Sequence, residues 1–277
     1  MKTIRRIVSA ILCVILTASL LLMTFGCAGN ETDETTTAPA ETSAQVTESA
    51  EKPTAELMTE NVTETETQTE TQAAVPETVE EIVALFNASG NRIKTEATKV
   101  TKNWEKRIVD EENLVLPKAL EGTAKSLIST FLKDDTDPII YDTREEIVSE
   151  YIVPDKDYVS KLTPDAVLSA TCEDKGEQYV ITIKLKPEKN PVSGKGVGAV
   201  CDVIEAHEVT EKNLSFLEDF STNYRDCVVI ATVDKATGRV VHSNYSAPLI
   251  LAVKVNLFGT HNINVGLNFV KDYTIEY

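Results

Sequence analysis

The sequence predicts an α+β domain in which amphipathic helices pack on a curved antiparallel β-sheet, after a signal peptide and a disordered linker. Three observations support this fold class. Apolar residues recur at helical spacing in the first part of the globular region. After residue 165 the hydrophobic period changes to two, which is typical of strands. Finally, three long β-rich runs follow one another with short turns between them, as in an antiparallel meander.

Charge and composition divide the 277 residues into three regions. Residues 1–27 carry three cations and no acid, whereas residues 28–76 carry eleven acids and a single lysine. Residues 77–277 have a formal charge of −10 out of a total of −17. This acidic balance argues against nucleic acid as a partner, because nucleic-acid binding requires a broad basic surface. The predicted organisation is a signal peptide over 1–26, a lipidated cysteine and linker over 27–76, and one domain over 77–277.

The first region is an export signal. A basic start containing Lys2, Arg5 and Arg6 precedes an apolar run over residues 7–25, which is the pattern of a secretory signal peptide. The run ends at Gly26-Cys27, a small residue directly before a cysteine. This ending resembles the lipobox of bacterial lipoprotein signal peptides, although the position three residues before the cysteine is Thr, where that family usually has Leu.

The lipobox resemblance implies a membrane anchor on the extracytoplasmic face of the cell. In that family the cysteine, here Cys27, is alkylated with diacylglycerol, acquires acyl chains such as palmitate, and becomes the new N-terminus. Two acyl chains anchor a protein stably where one gives only marginal binding. Two alternatives remain open, namely an uncleaved membrane-spanning anchor, for which the apolar run is nearly long enough, and ordinary secretion.

The second region, residues 28–76, is predicted to be a disordered linker. It contains thirteen Thr and eleven acids but few large aliphatic residues, so it cannot bury enough apolar surface to offset the entropy of ordering. As a flexible coil it would span roughly 35–42 Å. A metal-binding acidic tail or a glycan carrier are the functional alternatives to a soluble spacer.

The first part of the domain predicts helices around one extended segment. Thr78 and Glu81 form a candidate capping box before an apolar stripe that continues to Ala97. Residues 98–109 fit both a helix and a strand, and their β-branched residues favour a strand. A second amphipathic helix is predicted from Pro117 to Leu132. The remaining predicted elements are a helix capped by Thr143 and running through Tyr151, and a single turn at Thr163-Pro164.

The second part of the domain predicts strands. Residues 167–173 and 179–186 flank a glycine turn and predict a hairpin. Thr210 is predicted to cap a short helix that carries Leu214, Leu217 and Phe220. Pro248 lies inside the middle one of the long β-rich runs, so that strand should be split, kinked or at a sheet edge there. The long runs are 224–234, 239–258 and 262–277.

The order of these elements over residues 77–277 resembles the half-barrel carriers and sensors of lipoprotein-carrier type. In that family a curved sheet wraps helices around an apolar cleft, which implies a ligand held between helices and sheet. The segments 233–239 and 256–261 also resemble uncharacterised Gram-positive envelope lipoproteins, a resemblance that implies no particular activity.

Common catalytic, metal and cofactor motifs are absent from the sequence. Glu205, His207 and Glu208 are close together but lack the second histidine that a helical zinc site requires, so no metal is expected. The segment from Gly194 to Gly198 matches the letters of a dinucleotide fingerprint, but the residues after it read as a strand instead of a helix, and no cofactor is expected. These residues are interpreted as a polar run and a flexible loop.

The remaining histidines and cysteines are interpreted as structural. His242 is expected to make a cross-strand contact, and His261 to lie in a turn. Cys172, Cys201 and Cys227 remain in the domain, an odd number that permits at most one disulfide. They are predicted to be buried free thiols, with a disulfide or a reactive thiol as the alternatives.

A local basic segment stands out from the acidic domain. Between Arg92 and Arg107 the chain has six cations against two acids. The segment could contact anionic lipid headgroups or a wall polymer, with an aromatic residue as an apolar anchor. Internal charge balance is the alternative. The candidate contact residues are Lys99, Lys102, Trp104, Lys106 and Arg107.

Together these features predict a membrane-anchored extracytoplasmic lipoprotein that acts as a non-enzymatic ligand-binding or envelope-associated module. The expected partners are the membrane, through the lipid anchor, and an apolar or peptidic ligand or a cell-wall polymer. Two alternatives are an enzyme acting on the cell wall or an extracellular polymer, with a site near His207, and a purely structural or protein-docking module.

Overall fold

A computed structural model describes the globular region as one antiparallel sheet with helices on one side. The predicted signal peptide, nearly all of the linker and most of the predicted helix over 117–132 lie outside the described residues. Within the described part of the chain, no helix is long and apolar enough to cross a membrane. The described residues are 74–118, 122, 132–212, 214–256 and 259–277.

Two of the three described helices begin where the sequence predicts. Thr78 and Thr143 each accept a hydrogen bond from the backbone three residues on, and Glu81 and Glu146 complete the two capping boxes. These boxes satisfy backbone donors that the first helical turn leaves unpaired. The helices are α1 (Val79–Glu96), α2 (Arg144–Glu150) and α3 (Ala206–Thr210).

Nine strands form the sheet in the order β2-β1-β9-β8-β7-β4-β3, with β6 pairing with both β5 and β8. All the pairs are antiparallel. The predicted hairpin is confirmed as β3-β4, and the consecutive strands β7, β8 and β9 are neighbours as expected of a meander. The strands are β1 (Lys99–Val115), β2 (Ile139–Tyr141), β3 (Val167–Asp174), β4 (Gln178–Leu185), β5 (Glu188–Lys189), β6 (Leu217–Tyr224), β7 (Val228–Asp234), β8 (Arg239–Asn256) and β9 (Thr260–Glu276).

The prediction of a helix capped by Thr210 is wrong. Helix α3 ends at Thr210, and Leu217 begins strand β6, which pairs with β8. Phe220 and Tyr224 are buried, as alternate positions of this strand face the core. Pairing with a long neighbouring strand therefore overrides the local helical spacing. Residues 200–204 likewise do not form the expected strand.

Pro248 lies where β8 changes its partner. On one side β8 pairs with β9 along most of its length, and on the other it pairs with β7 up to Ser246 and with β6 from Leu249. Proline has no backbone N–H to contribute to a ladder, so the gap between two partners is a position where it loses no hydrogen bond. The prediction of a split strand or a sheet edge at Pro248 is wrong, because β8 runs unbroken through this residue and has neighbours on both sides.

Alternation along the long strands gives the sheet two different faces. The inner face is buried beneath α1, whose residues Ile82, Phe86 and Ile93 belong to the same apolar core. The outer face of β8 and β9 carries polar side chains at the intervening positions, among them Asn244 and Asn268. One face therefore provides the core, and the other is available for contacts with other molecules.

Candidate functional site

The outer face carries a polar cluster centred on Asp272 of β9. The side chain of Asp272 is held by three neighbours from two flanking strands, and the whole residue is only 9 % exposed. Asn103 Nδ2 donates to Oδ1 at 2.8 Å, and Asn244 Nδ2 donates to Oδ2 at 3.2 Å. His242 Nε2 lies 3.0 Å from Oδ2. Asn103 Nδ2 also lies 3.0 Å from Thr274 Oγ1, so Thr274 belongs to the same group. We call this group the Asp272 cluster; its members are Asn103, His242, Asn244, Asp272 and Thr274.

Strand register explains why these residues meet. Asp272 lies opposite Asn244 on β8 and opposite Trp104 on β1, so all three face outward together. A β-bulge between Lys102 and Trp104 adds one residue to β1, which brings Asn103 to the same face. The cluster therefore depends on a local irregularity that no alternating pattern reveals.

An aromatic ring lies beside the cluster. Lys106 Nζ is 5.1 Å from the centroid of the Trp104 ring, a cation–π contact on the outer face. Ile108, the next outward residue of β1, is 48 % exposed. The outer face thus has fixed amide and carboxylate groups next to an indole ring. Such a surface suits a polar ligand that also has a flat apolar side, which can stack on the ring.

The cluster includes a histidine–carboxylate pair but not the rest of a hydrolytic site. In a catalytic triad the carboxylate orients the imidazole, and the imidazole in turn accepts a proton from a nucleophile. His242 has its carboxylate, but it makes no hydrogen bond to a serine or cysteine among the described residues. The predicted cross-strand contact of His242 is confirmed, and its partner is Asp272.

The structure divides the predicted basic contact residues between the two faces. Trp104 and Lys106 lie on the outer face, whereas Lys102 and Arg107 point inward and have side chains only 8 % and 10 % exposed. Lys99 forms an ion pair of 2.5 Å with Glu276. Contact with an anionic surface stays a prediction, and the structure leaves Trp104 and Lys106 as the residues placed to make it.

The inward cations form a buried ion-pair network. Lys102 Nζ lies 2.8 Å from Glu105 Oε2, and Arg107 Nε lies 3.2 Å from Glu105 Oε1. Both cations also contact Asp135, at 3.2 and 2.7 Å. Burial raises the pKa of Glu105, but the ammonium groups of Lys271 and Lys102 outweigh this effect, and the net pKa is lowered. The network attaches the segment around Asp135 to β1, where two backbone hydrogen bonds join it to Glu105.

The other predicted polar residues do not converge on a site. His207 Nδ1 is 3.4 Å from Glu205 Oε2, and its side chain is 53 % exposed. Within the described residues no group of three or more His, Cys, Asp or Glu side chains is arranged to hold a metal ion. The glycine-rich segment forms a 3₁₀ turn, Gly196–Ala199, and His261 is part of β9 instead of a turn.

The cysteines of the domain are free thiols. Cys201 and Cys227 are buried, whereas Cys172 is half-buried. Burial raises the pKa of Cys201 to about 12 and raises that of Cys227 further. A thiol with such a pKa is almost entirely protonated at neutral pH, so these residues behave as core side chains and not as nucleophiles.

The inner side contains a small cavity of about 30 Å³ next to Cys201, Tyr245 and Lys271. A cavity needs about 10–15 Å³ for each water-sized group, so this one has room for two or three. It is too small for a lipid chain or a peptide. A separate, more open groove of about 380 Å³ lies between Thr210 and Asp219, and its wall includes Glu218, which is paired with Lys254 at 2.8 Å.

No family model, curated protein or solved structure matches this chain. The candidate sites therefore rest on geometry, and the outer face is the one where fixed polar groups lie beside an aromatic ring. Its residues come from β1, β8 and β9, the strands that share the longest pairings in the sheet.

Proposed function

We propose that the protein is a lipid-anchored, extracytoplasmic binding module that holds a polar polymer of the cell envelope, such as a cell-wall polysaccharide, on the outer face of its sheet. Lipidation of Cys27 provides the anchor, and the acidic linker over 28–76 provides the reach. The protein is non-enzymatic in this proposal. We also propose that the sheet curves into a half-barrel around its helices. In such a half-barrel the face with the helices is enclosed, and the outer face is turned towards other molecules.

The Asp272 cluster is the observation that carries this proposal. Asn103 and Asn244 direct their NH₂ groups to the carboxylate, so their side-chain carbonyl oxygens are left to accept hydrogen bonds from a ligand. Sugar hydroxyls both donate and accept, and they therefore suit such an arrangement. Trp104 lies opposite Asp272 and offers a flat surface for the apolar side of a sugar ring.

Rigidity supports the same interpretation. Each polar side chain of the cluster comes from a strand within the sheet, and Asp272 fixes three of them through hydrogen bonds or an ion pair. Binding would therefore cost little side-chain entropy, since the groups are already ordered. A single sheet face also repeats similar polar positions along β9, including Asn264 and Asn268, which suits an extended polymer.

The anchor is tested by changing Cys27→Ser in the full chain. We expect the unchanged protein to incorporate radiolabelled palmitate and to fractionate with membranes, and the variant to lose the label. Cys172→Ser is the matched control, since this cysteine belongs to the domain. Equal labelling of the Cys27→Ser variant and the unchanged protein would refute lipidation at this position.

Polymer binding is tested by co-sedimentation with insoluble cell-wall polysaccharide. Trp104→Ala and Asn244→Ala should each weaken binding at least tenfold, because they remove the apolar surface and one of the fixed amides. Val192→Ala, at an exposed apolar residue outside the cluster, is the control and should bind as before. Unchanged binding of both cluster variants, or no sedimentation of the unchanged protein, would contradict the proposal.

The second candidate function is an enzyme that acts on the same polymer, and the pair His242–Asp272 is the observation that favours it. It predicts soluble fragments after incubation with the polymer and their loss in His242→Ala. The binding proposal predicts that no fragments form and that His242→Ala affects only the amount of polymer bound.

A further inference from the structure

Strand β3 is an edge of the sheet. It pairs with β4 on one side, and no strand of the described part of the chain lies on its other side. Five of its eight residues are exposed. An edge strand of this length presents a row of unpaired backbone N–H and C=O groups, with which another strand can pair. The free side of β3 is therefore an interaction surface for an extended chain.

The hydrogen bonds of the β3–β4 turn identify the free backbone groups. The Lys175 N–H donates to the Gln178 carbonyl oxygen at 2.9 Å, so these two residues form a hydrogen-bonded pair. Hydrogen-bonded and non-hydrogen-bonded pairs alternate along an antiparallel ladder, and the backbone groups of Ala170 and Cys172 therefore point away from β4. Neither residue has a backbone partner on that side among the residues that the structure describes.

A second copy of the same edge fits these free groups. When two β3 strands lie antiparallel with their Thr171 residues opposite each other, Ala170 of each copy lies opposite Cys172 of the other. Each of these pairs exchanges two hydrogen bonds, so the free N–H and C=O groups of both residues are all used. The side chains suit this register, since two threonines meet on the outer face and small side chains meet on the inner face.

Charge favours the same register. Lys184 of β4 is exposed, has no ion-pair partner among the described residues, and lies opposite Ser169 of β3. In the paired edges, Glu173 of the second copy lies on the other side of this small serine and on the same face. The carboxylate and the Lys184 ammonium can therefore meet above the serine, once on each side of the axis. Glu173 is free to do so because its pair with Lys175 is an exposed surface contact.

We propose that β3 is the interface of a homodimer, in which two copies pair their β3 strands antiparallel about a two-fold axis at Thr171 and continue one sheet across both chains. The axis is perpendicular to the sheet, so both outer faces, each with its Asp272 cluster, lie on the same side. The pairing itself does not rest on polymer binding. Four backbone hydrogen bonds make a small interface, so the chain is monomeric in dilute solution and pairs at high local concentration.

Disulfide trapping tests the register. Thr171→Cys places two thiols across the axis with Cα atoms about 4.5 Å apart, a separation that a disulfide spans. Thr182→Cys is the matched control, because Thr182 lies opposite Thr171 on β4 and its two copies are three strand spacings, or about 14 Å, apart. The full chain, in detergent with micelles in excess, is oxidised with diamide, which takes up the two thiol hydrogens. Thr171→Cys should give at least tenfold more disulfide-linked dimer on non-reducing gels.

Charge reversal tests the contact between Glu173 and Lys184. Glu173→Lys brings like charges together twice in each dimer, and it should raise the dimer dissociation constant about tenfold in sedimentation velocity. Adding Lys184→Glu to this variant should restore the dimer. Glu177→Lys makes the same change of net charge at an exposed position of the hairpin turn, and it should dimerise as the unchanged chain does. Far-UV circular dichroism and the urea midpoint establish that each variant is folded.

Three outcomes would overturn the proposal. They are equal trapping of Thr171→Cys and Thr182→Cys, unchanged dimerisation of Glu173→Lys, and a chain that stays monomeric at every concentration. Protection of the Ala170 and Cys172 amides from hydrogen exchange in such a monomer would place another segment of the same chain on the edge. Trp104→Ala should dimerise as the unchanged chain does, whatever its polymer binding, so failure of this proposal and failure of the proposed function are distinguishable.

Discussion

The buried ammonium of Lys94 is the feature whose perturbation the structure predicts most directly. Lys94 lies in α1, is 2 % exposed, and directs its Nζ to one backbone carbonyl oxygen of α2 and two of the segment that follows α2. The distances are 2.8 Å to Val153, 3.0 Å to Lys156 and 3.3 Å to Val148. This segment contains two β-branched residues at positive φ, Ile152 and Val153, a conformation that costs free energy and needs support from its surroundings.

Replacing the ammonium by an apolar group, in Lys94→Met, leaves these three carbonyls without a donor. Hydrogen bonds to a charged group contribute about 1.5–3 kcal/mol each. The Met variant no longer has the cost of burying a charge, and this offsets part of the loss. Burial lowers the pKa of Lys94 to about 8, a shift equivalent to about 3 kcal/mol. We therefore expect a net loss of about 2–5 kcal/mol in the free energy of unfolding at pH 7, measured by urea denaturation.

The same lysine gives a pH dependence whose sign follows from its lowered pKa. Burial is the main cause, and the carboxylates of Asp155, Asp157 and Asp202 limit the shift. Above pH 8 the folded protein releases this proton, while the unfolded chain keeps it up to about pH 10.5. The unfolded state then binds more protons, so the contribution of Lys94 to the free energy of unfolding rises by about 2 kcal/mol between pH 7 and 9.5.

Urea denaturation at pH 7, 8, 9 and 9.5 tests both effects. The difference between the unchanged protein and Lys94→Met should grow with pH by the amount given, whereas Lys184→Met should follow the unchanged protein throughout. A Met variant within 0.5 kcal/mol of the unchanged protein at pH 7, or a difference that stays constant with pH, would refute the reasoning.

Three further predictions concern the core. Gly90→Ala should raise the free energy of unfolding by about 0.5–1 kcal/mol, because alanine favours a helix interior and its Cβ would lie 3.6 Å from Val159, an ordinary contact. A urea titration measures this, and destabilisation would contradict the prediction. Gly198→Ala should instead lower the melting temperature, with a loss of about 1–3 kcal/mol, since its Cβ would lie 2.1 Å from the backbone oxygen of Val192; an unchanged melting curve would show that the turn can shift. Burial raises the pKa of Tyr151 to about 12. Stability should therefore fall as pH rises above 10, because Tyr151 ionises there in the unfolded chain but not in the folded protein. Circular dichroism from pH 9 to 12 should show this loss, and the loss should be smaller in Tyr151→Phe.

Local signals in the sequence predicted many elements of the fold correctly. Both capping boxes, at Thr78 and Thr143, and the hairpin around Gly176 involve residues within a few positions of one another. Local backbone preference is enough to specify such features. The prediction at Thr210 failed because the pairing of β6 with β8, which is remote in sequence, decided the conformation of that segment.

The sites required contacts that the sequence pattern does not contain. The sequence favours a strand over residues 98–109, but it does not reveal the bulge that brings Asn103 and Trp104 to one face. Asn103 and Asp272 are 169 residues apart, yet they are joined at 2.8 Å. The basic segment is likewise continuous in sequence, but the β-bulge after Lys102 leaves Lys102 on the inner face and Lys106 on the outer face.

The sequence by itself determined the starts of the capped helices and most of the strands, because capping and alternation act over a few residues. The three-part organisation of the chain stays a prediction. Tertiary structure alone decided that β1 pairs with β9, that Asp272 gathers its cluster on the outer face, and that Lys271 faces a cavity. The physical reason is register: in a sheet, the identity of the neighbouring strand and the alignment against it determine which distant side chains share a face.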